Sequence, residues 1–199
     1  MAVDELPKGT GGRWLPLGLF ALFAFLIFPG HEFAHYVTYR ALGTPLQMTL
    51  NTASPEDGSQ RRAIAELAGP FFNLGLAAVG TALYFSGQRR RRWVAELILA
   101  AVLMRLVIYA LILGAAIVTG SGLSLGNDEP IAAQLAGVPS LTFVAALAGP
   151  FMWICVAIVS DLWTSWRPRA ANAIGRAVIM LCIGVLVGTV LDPWLFPRR

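Results

Sequence analysis

Two histidines four residues apart are the clearest chemical feature of the chain. His31 and His35 are its two histidines, and the segment between them reads His31-Glu32-Phe33-Ala34-His35. In a helix, residues four apart lie on one face, one turn above the other. Two imidazole nitrogens can then bind one zinc ion at about 2.0–2.1 Å, and Glu32 is placed to take a proton from a water on that ion. The spacing predicts His31 and His35 as zinc ligands and Glu32 as the catalytic base.

A third zinc ligand has to be a carboxylate, because catalytic zinc sites usually have three protein ligands and the sequence has no third histidine. We predict Asp128, which lies in a Gly-Asn-Asp-Glu-Pro turn of a segment too polar to span a membrane. Such a segment can line a cavity at membrane depth. Glu129 is the second choice, and the alternative role for Asp128 is that of an exposed helix cap. The other carboxylates in or near apolar segments are Glu66, Glu96, Asp161 and Asp192.

The motif lies in a chain with the composition of a membrane protein. Of its 199 residues, 57% are hydrophobic and 13% are charged, whereas soluble domains carry about 25% charged residues. The mean hydropathy is +0.67. Ionisable residues at membrane depth are costly and are functional by default. The composition therefore favours a metal site over a chance occurrence of the motif.

Five apolar stretches are long enough to be spanning helices, which need about 20 residues each. They cover about 14–42, 63–84, 93–118, 141–163 and 173–191. We therefore expect an all-α polytopic membrane helix bundle of about five spans.

The whole chain, 1–199, is predicted to be a single integral membrane domain. Its core, which contains the histidine motif, covers about 14–137, and additional C-terminal spans cover about 141–191. Pro29 predicts a kink in the first span at Phe28–Pro29, followed by a second helical piece that ends near Gly43.

Two segments between the predicted spans are polar. Segment 43–60 is rich in turn formers and predicts a short hairpin or a re-entrant loop. Segment 119–140 predicts a re-entrant loop with a short helix from Glu129 to Ala136, capped by Asp128. Counting spans places segment 119–140 on the side where the first span ends. Of the other carboxylates, Glu66 and Asp192 lie on that side, and Glu96 and Asp161 lie on the opposite side.

Three elements of the chain resemble the site-2 protease-type intramembrane zinc metalloproteases. They are the histidine motif in an apolar helix, the segment Gly69-Pro70-Phe71-Phe72-Asn73 in the next span, and Asp128 after the following span. The resemblance covers roughly residues 20–137, with no PDZ-like insertion. It implies that the two histidines and Asp128 bind Zn²⁺ and that Glu32 activates water. The family usually has Asp-Gly where this chain has Asp-Glu-Pro.

Two polar residues within the predicted spans each have two alternative roles. Asn73 is a candidate catalytic residue that hydrogen-bonds the substrate, and the alternative is a hydrogen bond that joins two helices. Arg105 is predicted to be structural: it either pairs with a carboxylate, for example Glu96, or extends toward the membrane surface.

A short sequence occurs twice in the chain. Leu-Ala-Gly-Pro-Phe occupies residues 67–71 and again 147–151, and the flanking residues do not extend the match. Shared packing chemistry is therefore favoured over an internal duplication, because small residues let helix backbones approach closely.

Together these features predict a zinc-dependent metalloendopeptidase of the HExxH type, with Zn²⁺ as cofactor. Its substrate would be a transmembrane protein in the lipid bilayer. The arginines in short loops are typical of topology-setting charges and not of nucleic-acid binding. The alternatives are a catalytically silent zinc-binding membrane scaffold and a zinc hydrolase that acts on a lipid or a small amide.

The charges of the loops also predict an orientation and a location. Eight Lys and Arg residues lie on the side of the N-terminus and five on the other. This distribution places the N-terminus in the cytoplasm and the metal site toward the outer face, whereas the resemblance implies a site that opens to the cytoplasm. Frequent Arg and Ala indicate a bacterial cytoplasmic membrane.

Overall fold

The computed structural model describes residues 11–55, 61–87, 92–119, 127–165 and 171–196. Helices dominate, and one pair of short strands follows the first helix. The elements are α1 (Gly11–Ala41), β1 (Leu46–Met48), β2 (Ala53–Pro55), α2 (Ala63–Glu66), α3 (Ala68–Phe85), α4 (Arg92–Thr119), α5 (Asp128–Ala136), α6 (Ser140–Ser165), α7 (Ala171–Leu186), a π-helical segment (Val187–Leu191) and α8 (Asp192–Leu195).

Within the described residues, five helical segments are long and apolar enough to cross a membrane. They are Pro16–Ala41, Ala68–Phe85, Trp93–Val118, Ser140–Leu162 and Ile174–Leu195. The predicted all-α polytopic bundle of about five spans is therefore confirmed.

The outer surface of the bundle is apolar. Ile117, Val118, Trp153 and Ile174 are each at least 70% exposed. Soluble monomers rarely expose large apolar patches. In lipid, apolar side chains on the outer surface of a helix are not exposed to water. This surface is compatible with a multi-pass membrane protein.

Helix α4 lies at the centre of the bundle and packs against α1, α3, α6 and α7. Half of its most apolar window is buried, against 17% for the last span. Its approach to α3 depends on Gly80, where an added Cβ would lie 2.6 Å from Cγ1 of Ile98. Small residues at such a contact let two backbones come close without a driving force from water.

Helix α1 continues without interruption through Pro29. The two helical pieces predicted on either side of this proline are therefore one helix, and the kink at Phe28–Pro29 stays a prediction. Pro29 lacks a backbone donor. His31 lies ten residues before the end of α1, or about 15 Å along its axis, so the motif is deep within the span.

Residues 46–55 form the predicted hairpin. Strand β1 pairs antiparallel with β2, and Leu46 lies opposite Pro55. The C-terminal end of the bundle anchors its turn, because Asp192 accepts hydrogen bonds from Oγ1 of Thr49 at 2.8 Å and from the amide of Leu50 at 2.7 Å. Residues 56–60 of the predicted segment lie outside the described residues.

Helix α5 begins one residue earlier than predicted. Its N-cap is Asn127, and Asp128 is the first helical residue, so the prediction of Asp128 as N-cap is wrong. The Asp128 side chain points toward α1 and contacts His31. The helix ends at Ala136, and the φ of 69° at the following Gly137 is the left-handed conformation common after a helix. Residues 120–126 of the predicted re-entrant segment lie outside the described residues.

Candidate metal centre

His31 and His35 on α1 and Asp128 on α5 bring three ligand atoms together. Oδ2 of Asp128 lies 3.0 Å from Nε2 of His31 and 3.5 Å from Nε2 of His35. The two Nε2 atoms are 3.2 Å apart. Both histidines are 2% exposed, and the Asp128 side chain is 25% exposed. No other group of three such side chains converges in this way within the described ranges.

These distances fit a tetrahedral zinc site. Ligands at about 2.0–2.1 Å from a tetrahedral ion are about 3.3 Å from one another. The three measured separations, 3.0, 3.2 and 3.5 Å, lie around this value. The donor set of two imidazoles and one carboxylate is also one that catalytic zinc sites use.

The backbone of α2 orients the ring of His35. Nδ1 of His35 lies 2.6 Å from the carbonyl oxygen of Ala65. Because a carbonyl oxygen only accepts, Nδ1 carries the proton, and the neutral ring presents the lone pair of Nε2 to the centre. Metal-binding histidines are usually fixed by such a hydrogen bond. Nδ1 of His31 has no partner among the described residues.

Arg105 on α4 lies against the three ligand atoms. Its Nη1 is 3.3 Å from Nε2 of His31 and 3.4 Å from Oδ2 of Asp128, and its Nη2 donates to Oε1 of Glu129. Its partner is therefore Glu129 and not the predicted Glu96, which pairs with Arg176 at 2.5 and 2.7 Å.

The charged side chains around the centre carry an excess of negative charge. When ionised, Glu32, Glu66, Asp128 and Glu129 carry four negative charges, and Arg61 and Arg105 carry two positive charges. Burial tends to raise the pKa of Asp128, but its contacts with His31 and His35 and the charge of Arg105 hold this pKa well below its ordinary value. Buried charges are paired or coordinate metals. One divalent cation would balance the two excess negative charges.

A cavity of about 280 Å³ opens beside the ligand atoms. Glu32, His31, Arg105 and Asp128 line it together with residues 51–54 of the hairpin. Glu32 is 9% exposed. The predicted base, two of the predicted ligands and the edge of the hairpin therefore face the same space.

Gly69 is a residue of the site whose role the sequence did not indicate. An added Cβ at this position would collide with the imidazole rings of His31 and His35. The start of α3 can lie against the two histidines only because this residue has no side chain. The signal in the sequence was the Gly69-Pro70 pair, which we interpreted as general packing and as part of the segment that resembles the site-2 proteases.

The second Leu-Ala-Gly-Pro-Phe segment has the opposite environment. Gly69 and Pro70 are buried and Phe71 is exposed, whereas Gly149 and Pro150 are exposed and Phe151 is buried. A Cβ at Gly149 would meet nothing within 4 Å. Close approach to the ligands is thus a property of the first copy alone.

Asn73, the other predicted catalytic residue, lies on α3 and is fully buried. Its Nδ2 donates to Sδ of Met104 at 3.3 Å, and its Oδ1 has no partner among the described residues. Asn73 is not among the side chains that line the cavity. A catalytic role for Asn73 stays a prediction.

The remaining carboxylates considered as ligands have partners elsewhere. Glu66 accepts from the hydroxyl of Tyr39, Asp161 accepts from the hydroxyl of Tyr84, and Asp192 holds the hairpin turn. Glu129, the second choice, faces Arg105 and Tyr109. Asp128 is the carboxylate that meets the histidines.

Comparison of the chain with protein-family models, curated proteins and solved structures gave no match.

Proposed function

We propose that the protein is an intramembrane zinc metalloprotease, similar to the site-2 proteases, that hydrolyses a peptide bond in a transmembrane protein substrate. The observation that carries the proposal is the convergence of His31, His35 and Asp128 next to a cavity that Glu32 lines. We propose a bacterial cytoplasmic membrane as its location, because the sequence is rich in arginine and alanine.

The metal would be held by Nε2 of His31, Nε2 of His35 and Oδ2 of Asp128. Zn²⁺ bound there supplies a Lewis acid that polarises a carbonyl group and lowers the pKa of water from 15.7 to about 7. The Ala65 carbonyl keeps the His35 ring in the tautomer that this binding needs.

Glu32 is the proposed general base. Its carboxylate takes a proton from the attacking water and then delivers that proton to the leaving amine. Glu32 lines the cavity together with His31, which supports this role.

The hairpin is the proposed binding edge for the substrate. A peptide bond within a helix is shielded by its own hydrogen bonds, so the substrate has to be locally extended. Residues 51–54 line the cavity, and β2 has one strand neighbour in the two-stranded sheet. An extended peptide can add to such an edge through backbone hydrogen bonds. The hydroxyl and amide groups of Asn51, Thr52 and Ser54 suit a peptide backbone better than an acyl chain.

The test is a cleavage assay in liposomes. The protein is reconstituted with a single-span polypeptide whose span contains Gly and Asn to weaken its helix, and the products are identified by mass spectrometry. We expect cleavage within the span by the parent. Glu32→Gln should retain zinc and lose cleavage, because the base is lost and the ligands remain. The matched control is Asp161→Asn, whose amide oxygen still accepts from Tyr84 and which should cleave like the parent.

The other possible results would change the proposed mechanism or the proposed function. Cleavage by Glu32→Gln at the parent's rate would remove Glu32 from the mechanism. Released fatty acids with an intact polypeptide would favour the lipid hydrolase. Stoichiometric zinc without hydrolysis of either component would favour the silent scaffold.

A further inference from the structure

Arg105 supplies a fixed positive charge to the wall of the cavity. Its side chain is 2% exposed, yet it lines the cavity together with Glu32 and Asp128. Guanidinium groups stay protonated in proteins. Anything that enters the cavity therefore meets a permanent cation beside the proposed metal ligands.

Two neighbours hold the guanidinium in one orientation. Nη2 of Arg105 donates to Oε1 of Glu129, and the hydroxyl of Tyr109 donates to the same oxygen at 2.7 Å. The Arg105 guanidinium carbon also lies 5.5 Å from the centre of the Tyr109 ring, within range of a cation–π contact. With Nη2 engaged in this way, Nη1 is the nitrogen that faces the ligand atoms.

The acceptors of Nη1 are the same atoms that would bind a metal. They are Nε2 of His31 at 3.3 Å and Oδ2 of Asp128 at 3.4 Å. A lone pair of His31 that is directed to a metal cannot also accept from Arg105. Oδ2 of Asp128 can still accept one hydrogen of Nη1, but the hydrogen that faced His31 then needs another acceptor, because an unsatisfied buried donor is costly. An oxygen of a molecule in the cavity can supply that acceptor.

We propose that Arg105 is a further catalytic residue, whose Nη1 binds the substrate carbonyl oxygen as that oxygen gains negative charge. The inference rests on the proposed function. A preorganised, charge-assisted hydrogen bond at the position where charge develops stabilises the transition state. Asn73 was predicted to hydrogen-bond the substrate, but its amide faces Met104 and lies outside the cavity lining.

The test measures anion binding and does not depend on turnover. The purified protein is loaded with Co²⁺ in place of zinc and titrated with azide, and the visible absorption of the cobalt reports binding. The test variant is the pair Arg105→Gln with Glu129→Gln, which removes both charges together and leaves no unpaired carboxylate. We expect its azide affinity to fall by about tenfold or more, because one charge-assisted hydrogen bond is lost.

The matched control is the second buried Arg–Glu pair of the bundle. Arg176→Gln with Glu96→Gln removes an ion pair of the same kind between α7 and α4. Its azide affinity should stay within about twofold of the parent's, because distant sites act independently. Arg105→Lys, which keeps the charge without the planar fork, should fall between the parent and the Gln pair.

The outcomes separate the two proposals. Cobalt binding by the Gln pair with unchanged azide affinity would overturn the role of Arg105 and leave the metal site intact. Loss of cobalt from the Gln pair would make Arg105 a positioning residue for Asp128, which also overturns the catalytic role. A parent protein that binds no cobalt would contradict the proposed function itself.

Discussion

At the scale of residues, two adjacent carboxylates have different partners. Asp128 faces the histidines and Glu129 faces Arg105. The sequence predicted Asp128 as ligand and Glu129 as second choice. It did not predict Glu129 as the partner of Arg105, because several carboxylates were available for a buried arginine and spacing along the chain does not choose among them.

Two separate variants, Asp128→Asn and Glu129→Gln, test whether Asp128 and not Glu129 is the metal ligand. An amide oxygen cannot replace a carboxylate in neutralising a dication, so Asp128→Asn should lower zinc affinity by more than about a hundredfold, beyond the effect of losing an outer-shell partner. Glu129→Gln should keep zinc within about tenfold of the parent. Zinc competition against a chelator measures both affinities. The reverse order would move the ligand to Glu129, and no loss in either variant would reopen the case for Glu66 and Asp192.

At the scale of elements, the two Leu-Ala-Gly-Pro-Phe segments show how far local sequence goes. Both begin or continue an apolar helix, as predicted, yet one buries its glycine against the ligands and the other exposes it. Whether the glycine is buried depends on the elements that pack against each helix, and the five identical residues do not determine those contacts.

Substitution of Gly69 and of Gly149 tests whether the close approach of α3 to the histidine rings matters beyond general helix packing. Gly69→Ala places a methyl group where the rings of His31 and His35 lie, so zinc affinity should fall by about tenfold or more, as for a displaced outer shell. Gly149→Ala is the matched control, and since its Cβ meets open space, its zinc affinity should equal the parent's. Equal zinc affinity in Gly69→Ala would show that α3 does not need this contact.

The hairpin is a second element whose position depends on a distant residue. Asp192→Ala removes both hydrogen bonds to the turn of the hairpin. We expect faster amide hydrogen exchange in residues 46–55, because local opening rates follow such contacts. Cleavage of the liposome substrate should fall while bound zinc is unchanged. If exchange in the hairpin matched the parent's, the proposed anchoring by Asp192 would be wrong.

At the scale of the whole molecule, hydropathy alone predicted the five spans and their approximate bounds. The length of an apolar stretch fixes a spanning helix, because every backbone group must be satisfied inside the bilayer. The arrangement of the helices was not predictable in the same way. The central position of α4 depends on contacts between small residues such as Gly80 and branched ones such as Ile98. Hydropathy does not predict which residues form these pairs.

The central claim is that α1 and α5 bind one zinc ion through His31, His35 and Asp128. Zinc K-edge X-ray absorption of the purified protein, together with its zinc content, tests this claim most directly. We expect about one zinc per molecule, with nitrogen and oxygen ligands at about 2.0–2.1 Å and no sulfur. The double variant His31→Ala, His35→Ala should contain no zinc. Stoichiometric zinc in that variant, or a sulfur ligand in the parent, would contradict the claim.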